Sequence, residues 1–297
     1  MTLALTWLAA PPDGQVAAIA ALLGAAATVD GVDPLSEAAA LRLHHPGVGF
    51  LHLLAHDSPG PLVGYGSLAE REERRTAEFA VHPECRRRGV GGALLAALLD
   101  RVRAPLWLWA HGEHPGALRL AQRAGLARER ELFQLRRGLT EPIPRRALPA
   151  GVVLRAFVPA QDEAAVVRVN DRAFAWHPEQ GRWDISELLV REAQPWFDPG
   201  GFLLAVDPTG RLLGFHWTKV HPDGVGEIYV LAVDPAAQGT GVGGALTVAG
   251  LAHLRERGVH EAILYVESDN TAALHTYRKL GFTHHHTDVE FLALRDP

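Results

Sequence analysis

The chain has 297 residues, of which 47% are hydrophobic and 21% charged, a composition typical of soluble globular protein and a length that suits two domains. Its formal net charge of -5 argues against a basic surface for nucleic acid or for an anionic membrane. Cys85 is the only cysteine, so an intramolecular disulfide is excluded and a reducing, cytoplasmic location is expected.

The first half of the chain reads as helices alternating with strands. The apolar run Gln15–Ala27 predicts a helix too short to span a bilayer, and no signal peptide is expected. Phe50–Ala55 and Leu62–Tyr65 predict short strands, and a glycine-rich turn follows at 86–92. This order of elements predicts an α/β domain with a mixed sheet.

The second half repeats the first about 152 residues later. Residues 80–94 and 232–246 align with their proline, both Gly-x-Gly-Gly elements and the following Ala-Leu in register. Between the repeats, residues 140–151 hold three prolines and little periodicity, which predicts a linker. We therefore expect two tandem domains, at 1–139 and 152–297, each ordered as strand, helices, three strands, turn, helix, strand, helix and strand.

Each turn follows a β-rich segment and opens a helical pattern. Free backbone N–H groups and the positive end of a helix dipole meet there, and glycine lets a diphosphate approach the backbone. A turn made only for packing is the alternative, but two copies in one context make it the weaker one. Gly239, Gly241 and Gly244 also fit the dinucleotide fingerprint G-x-G-x-x-G, yet the turn comes late in its domain and no ribose-binding acid follows.

The second turn carries a family resemblance. Gln238-x-x-Gly241-x-Gly243, after an apolar strand end, resembles the acetyl-CoA signature of the GNAT acetyltransferases, and residues 270–282 resemble that family's last helix and strand entry. The first half has Arg86-x-x-Gly89-x-Gly91 in the same place. The resemblance implies tandem GNAT domains, acetyl-CoA as co-substrate, and a sheet that splays beside the strand before the turn.

The resemblance also assigns cofactor contacts residue by residue. In the second half, the strand backbone would bind pantetheine, the turn would bind the diphosphate and the last helix would line the thiol end: Leu231, Ala232, Val233, Gln238, Gly239, Thr240, Gly241, Val242, Gly243, Gly244, Asn270, Thr271, Ala272, Ala273, Leu274 and His275. In the first half, the matching contacts would be Phe79, Ala80, Val81, Arg86, Arg87, Arg88, Gly89, Val90, Gly91 and Gly92.

The two halves differ at the positions where acetyl transfer needs chemistry. Glu227, at the start of the cofactor strand, can act as a general base toward an amine, and Tyr277 can protonate the leaving sulfur as a general acid. For each residue the alternative is structural, a solvated carboxylate or a packed ring. Alignment places Arg75, Ala121 and His114 in the first half opposite Glu227, Tyr277 and Asn270. We therefore expect the first domain to bind acetyl-CoA without catalysing transfer.

Three stretches, at Asp33–Glu37, His177–Trp183 and Glu227–Val230 with the Val-Asp-Pro-Ala-Ala-Gln that follows, carry a closer resemblance. They resemble the tandem GNAT enzymes of mycothiol biosynthesis, which acetylate the cysteinyl amine of cysteinyl-glucosaminyl-inositol. It implies a small thiol-glycoside substrate bound by Glu37, Glu179, Lys219, Glu227 and Tyr265. Two alternatives stay open. One is another amine acceptor, such as an aminoglycoside or a protein N-terminus, and the other is a non-catalytic acetyl-CoA sensor.

Two basic or metal-like motifs do not change this interpretation. Adjacent residues on a strand point to opposite faces, so His284–His286 cannot chelate a metal through one face, and we expect no metal. The repeat assigns the run Arg86–Arg88 to the phosphate turn rather than to nucleic acid. We expect no nucleic-acid or membrane partner, and a monomer.

Overall fold

The computed structural model describes residues 2–45, 47–70, 74–177 and 183–294. These residues form two compact units. The first contains the described residues up to 132 together with those from 286 onward, and the second contains residues 133–285. Both are α/β units with a mixed sheet, so the predicted fold class is confirmed.

The first unit follows the predicted order of elements. Its strands are β1 (Leu3–Leu8), β2 (Phe50–Asp57), β3 (Leu62–Glu70), β4 (Arg75–Val81) and β5 (Leu106–Ala110), and its helices are α1 (Asp13–Asp30), α2 (Glu37–Leu41), α3 (Val90–Arg101) and α4 (Pro115–Arg123). The strands from β1 to β4 pair antiparallel, and β5 then pairs parallel to β4. The parallel step is possible because α3 crosses over between β4 and β5.

The second unit repeats this arrangement. Its strands are β7 (Val153–Ala156), β8 (Phe202–Val206), β9 (Leu212–Val220), β10 (Gly226–Val233) and β11 (Glu261–Glu267), and its helices are α5 (Glu163–Ala173), α6 (Ile185–Glu192), α7 (Val242–Glu256) and α8 (Thr271–Lys279). Within it, β10 pairs antiparallel to β9 and parallel to β11. No secondary structure forms between residues 139 and 152.

The last strand of each sequence repeat completes the other compact unit. The first repeat ends in β6 (Ala127–Gly138), whose residues from 133 onward lie in the second unit next to β11. The second repeat ends in β12 (Thr283–Ala293), which pairs antiparallel to β5 from Val289 to Ala293. The sequence repeat and the compact unit therefore differ at their final strands.

Period-two alternation gives the second sheet two distinct apolar faces. Val230 and Ala232 pack with Trp217 on the face that α5 and α6 cover. Leu231 and Val233 point the other way, toward α7. Full burial of a side chain the size of Val230 contributes about 1.5–3 kcal/mol to stability. The alternation also decides from which face each polar residue of β10 projects.

Candidate functional site

The sheet of the second unit opens beside β10. Pairing between β10 and β11 stops after Ile228, and the β9–β10 register shifts at Tyr229, which is one extra residue on β10. Such a bulge bends its strand away from a neighbour. Alternate N–H and C=O groups between Leu231 and Val233 therefore face an edge where β11 does not pair, as predicted, and a ligand with amide groups could pair with them there.

The glycine-rich turn lies at the end of this opening. Gly239 and Gly241 have φ angles of 77° and 96°, and Gly241 is the N-cap of α7. The Gln238 amide donates to the Val233 carbonyl at 3.3 Å, which ties the turn to the strand. The first N–H groups of α7 lack helical partners, an arrangement that suits an anion.

The first unit builds the same turn from different residues. Arg87 and Gly89 have φ angles of 63° and 89°, and the Arg86 guanidinium donates to the Val81 carbonyl at 3.2 Å, as Gln238 does to Val233. Arg86 also forms a two-point ion pair with Asp30, at 2.6 and 2.7 Å. Its charge is thus committed to a protein carboxylate.

A cavity of about 680 Å³ lies beside the first turn, a volume that suits a small-molecule ligand. Eight of the ten residues predicted to bind cofactor in this half line it: Phe79, Ala80, Val81, Arg86, Arg87, Gly89, Gly91 and Gly92. Val90 is a core residue at 1% exposure, and Arg88 lies exposed on the turn. Phe291, from the final strand, lines the same cavity, and no motif in the sequence predicted this contact.

A buried charged cluster at this cavity also went unpredicted. The His111 ring lies 2.9 Å from an Asp288 oxygen and 3.4 Å from a Glu78 oxygen. Burial disfavours the imidazolium, but the bonds to Asp288 and Glu78 outweigh it and raise the pKa of His111 to about 10. Glu78 also accepts from the Ser36 N–H and hydroxyl, at 2.5 and 2.6 Å. Although burial opposes it, hydrogen bonding lowers the pKa of Glu78, so this carboxylate is ionised and fully engaged.

Strand register identifies the true counterpart of Glu227. Glu227 lies opposite Lys219, whereas at the corresponding step of the first sheet Thr76 lies opposite Ala69. The sequence alignment had placed Arg75 there, but it did not allow for the extra residue Tyr229 in β10. With either counterpart, the first unit has no carboxylate at this position.

Glu227 is buried at 7% exposure on the face that α5 and α6 cover. Its Oε2 atom lies 2.7 Å from Nε2 of His221. The ammonium of Lys219, its cross-strand neighbour, lies 4.8 Å from the centre of the Trp196 ring and 5.3 Å from that of Tyr229. The structure thus joins two of the predicted acceptor contacts, Lys219 and Glu227, beside an aromatic wall.

Tyr277 lies on α8 and packs against an apolar cluster on the α7 face, which includes Ile228, Leu251 and Leu254. Its ring lies 5.8 Å from that of Phe282. Desolvation raises the pKa of Tyr277 to about 12, so its hydroxyl is protonated at neutral pH. Glu227 and Tyr277 project from opposite faces of the sheet. A joint role for them therefore requires a ligand that passes through the opening between β10 and β11.

The remaining predicted residues occupy varied places. Asn270 is the N-cap of α8 and accepts from the Ala273 N–H at 3.1 Å. Val242, at the start of α7, and Leu274, on α8, are buried core residues. The Tyr265 hydroxyl accepts from the Gln134 amide at 2.8 Å.

Two predicted acceptor contacts, Glu37 and Glu179, remain. Glu37 is the first residue of α2, in the first unit. Glu179 lies outside the described residues. The described part of the chain contains no group of three or more His, Cys, Asp or Glu side chains that could hold a metal ion. Nor does any helix there have the length and apolar character that crossing a bilayer requires.

Comparison with protein families matches residues 13–126 and 170–282 to the acetyltransferase (GNAT) family. Among solved structures, the chain is similar to a GCN5-related N-acetyltransferase from Sphaerobacter thermophilus, with 26% identity, a TM-score of 0.71, and coverage of 99% of this chain and 96% of that one. A tandem GNAT protein from the clavulanic acid biosynthesis pathway shares the fold, with a TM-score of 0.75, 22% identity, and coverage of 100% and 99%.

Curated relatives are closer still. A mycothiol acetyltransferase of Saccharopolyspora erythraea is 50% identical, covering 91% of this chain and 99% of its own length. One of Geodermatophilus obscurus is 52% identical, with 94% of each chain covered. The chain therefore belongs to the GNAT family, in the group that its mycothiol acetyltransferase relatives form, and it is an acetyl-CoA-dependent N-acetyltransferase.

Proposed function

We propose that this chain transfers acetyl from acetyl-CoA to the cysteinyl amine of cysteinyl-glucosaminyl-inositol, the last step of mycothiol biosynthesis. The relatives that are half identical over nearly their whole length support the acceptor. The observation that carries the chemistry is the buried Glu227 carboxylate, on the strand beside the opening in the sheet. A monomer in the cytoplasm, with domains at 1–139 and 152–297 joined by a linker, completes the proposal.

The reaction needs one base and one acid. A free α-amine has a pKa near 7.7–8.0, so deprotonation at pH 7 costs only ~1–1.4 kcal/mol. Glu227 takes the proton that the amine loses, the nitrogen attacks the thioester carbonyl, and the carbon–sulfur bond breaks. Tyr277 gives its proton to the departing sulfur and recovers one from solvent, which leaves an amide and free CoA.

Cofactor binding follows from the backbone of the second repeat. The open edge from Leu231 to Val233 pairs with pantetheine amides, and the turn from Gln238 to Gly244 holds the diphosphate at the start of α7. Asn270 begins the helix that lines the thiol end. The acetyl group enters the opening from the α8 side, while the amine approaches Glu227 from the α5–α6 side.

The acceptor is held on the α5–α6 face. Lys219 lies beside Glu227 there and offers a cation to hydroxyl or amide oxygens of the acceptor. Glu37, Glu179 and Tyr265 complete the proposed contacts. Carboxylates suit a sugar–cyclitol because they accept hydrogen bonds from its many hydroxyls.

The first domain is proposed to bind acetyl-CoA without turning it over. Its cavity carries the same turn, but Thr76 replaces the base and Ala121 stands where Tyr277 does in the second repeat. Glu78, the nearest carboxylate on the cofactor strand, is held by Ser36 and His111 and cannot accept an amine proton.

A CoA-release assay with the purified chain tests the proposal. The acceptors are cysteinyl-glucosaminyl-inositol, an aminoglycoside and a peptide with a free N-terminus, and the acetylated product is located by mass spectrometry. We expect the first to react with the highest kcat/KM, on nitrogen. Preference for either other amine would replace the acceptor, and acetyl-CoA binding without turnover of any amine would instead indicate a sensor.

A further inference from the structure

The β9–β10 hairpin places a histidine on the same face as Glu227. Glu227 lies opposite Lys219, and His221 follows two residues later, directly after the end of that strand, so it lies diagonally across from Glu227. The turn is fixed by bonds from the His221 N–H to the Val225 carbonyl and from the Gly224 N–H to the His221 carbonyl, at 2.8 and 2.9 Å. The position of the imidazole is therefore set by the backbone of the hairpin.

The two oxygens of the Glu227 carboxylate differ in their hydrogen bonding. Oε2 of Glu227 is held by His221 at 2.7 Å, whereas Oε1 has no hydrogen-bond partner in the part of the chain that the structure describes. The Glu227 side chain is 9% exposed, and that of His221 is 26% exposed. The imidazole is thus a polar route from a nearly enclosed carboxylate to solvent.

The charged groups of Lys219 and Asp223 lie near Glu227 but make other contacts. The Lys219 ammonium lies over the rings of Trp196 and Tyr229. Asp223 accepts from the Val225 N–H at 3.1 Å and so stabilises the turn. Among the residues described, His221 alone forms a hydrogen bond with the side chain of Glu227.

We propose that His221 is a positioning and proton-release residue for acetyl transfer. The inference rests on the proposed role of Glu227 as the base. His221 holds Oε2, which leaves Oε1 directed to the acceptor amine. The proton that the amine loses is taken up at Oε1. Rotation of the carboxyl group then presents this proton to Nε2 of His221, and the partly exposed imidazole releases a proton from Nδ1 to water, so that Glu227 is ionised again for the next turnover.

A double-mutant cycle tests this inference. The variants are His221→Ala, Glu227→Gln and the two combined, and each is assayed with whichever amine of the acceptor panel the wild type acetylates. We expect His221→Ala to lower kcat about 10- to 100-fold, a loss at or below the low end of the roughly 10²- to 10⁴-fold that a general acid or base contributes. KM for acetyl-CoA should stay unchanged within about twofold. In the Glu227→Gln background, the same change should have little further effect.

Two additional variants separate positioning from structure. His221→Gln keeps a side-chain N–H donor and should restore part of kcat, and imidazole in the buffer should raise kcat of His221→Ala but not that of the double variant. His253→Gln is the matched control, because His253 forms a partly exposed pair with Asp198 at 3.2 Å in the same unit. It should keep the wild-type kcat.

Several results would overturn the inference. They are a wild-type kcat in His221→Ala, an equal loss in both backgrounds, or a loss confined to KM. Thermal unfolding and acetyl-CoA binding of each variant identify a misfolded protein. If cysteinyl-glucosaminyl-inositol fails as acceptor and another amine reacts, the proposed function fails, yet the cycle measured on the amine that reacts still decides the role of His221.

Discussion

Replacing Tyr277 with phenylalanine removes one hydroxyl from α8 and keeps the ring that packs there. The ring contacts the cluster on the α7 face and the edge of Phe282, and Tyr277→Phe retains both contacts. The hydroxyl has no hydrogen-bond partner among the described residues, so its loss leaves no protein group unsatisfied. We expect the free energy of unfolding to change by no more than about 0.5 kcal/mol.

The effect on catalysis should be much larger. With a pKa of about 12, the phenol is ionised in only about one molecule in 10⁵ at pH 7, so it is available as an acid throughout the neutral range. A positioned general acid contributes roughly 10²- to 10⁴-fold to the rate, which corresponds to about 2.7–5.4 kcal/mol in the activation barrier. Because the proposed role of the hydroxyl is to protonate the leaving sulfur, the loss should appear in kcat.

Steady-state kinetics with release of CoA as the signal measure this loss, and calorimetric titration with acetyl-CoA measures binding. Affinity for acetyl-CoA should stay within about twofold of the wild type. A more acidic thiol leaving group in the acyl donor should recover part of the rate, since it needs a proton less. An unchanged kcat, or a loss that appears equally in acetyl-CoA affinity, would refute the role of Tyr277 as general acid.

Three further perturbations test the two-site arrangement. Gly89 and Gly241 each have a φ near 90°, so replacing either with alanine costs about 1–2 kcal/mol in backbone strain. Gly241→Ala should lower kcat/KM for acetyl-CoA. Gly89→Ala should weaken one of two binding sites measured by calorimetry and leave turnover unchanged. Folding raises the pKa of His111 from 6.5 to about 10, so the protonated imidazole stabilises the fold fully below pH 6.5 and progressively less as the pH rises to 10. The Tm should therefore fall across that pH range. An equally steep fall in Tm for His111→Gln would exclude His111 as the cause. Phe291→Ala should lower stability by about 3–5 kcal/mol in urea unfolding and weaken acetyl-CoA binding in the first unit, and wild-type values for both would argue that β12 does not complete that unit.

Much of the fold follows from local patterns in the sequence. The duplicated turn, the alternating strands and the cap glycines predicted the order of elements in both halves, and the structure has that order. The positive φ angles at Gly239 and Gly241 explain why the sequence alone revealed the turn, since few other residues adopt that conformation. The splay beside β10 was also expected, because the resemblance covered the strand and turn together.

The sequence did not predict the register between paired strands or the face of the sheet from which each side chain projects. A single extra residue, Tyr229, moved the counterpart of Glu227 from Arg75 to Thr76, and no local signal marks a bulge of this kind. The hydrogen bond between His221 and Glu227 depends on the same register, because only the pairing of β9 with β10 makes them diagonal neighbours.

The two repeats thus determined by themselves which elements form, where the glycine-rich turns lie and which half keeps a carboxylate and a phenol. Only the tertiary structure decided which unit each final strand joins. In β12, Asp288 contacts His111 and Phe291 lines the cavity, and both contacts are in the first unit. The reason is physical. A strand offers the same backbone hydrogen bonds to any open sheet edge, so its local sequence does not select between two similar edges, and packing of the whole chain makes the choice.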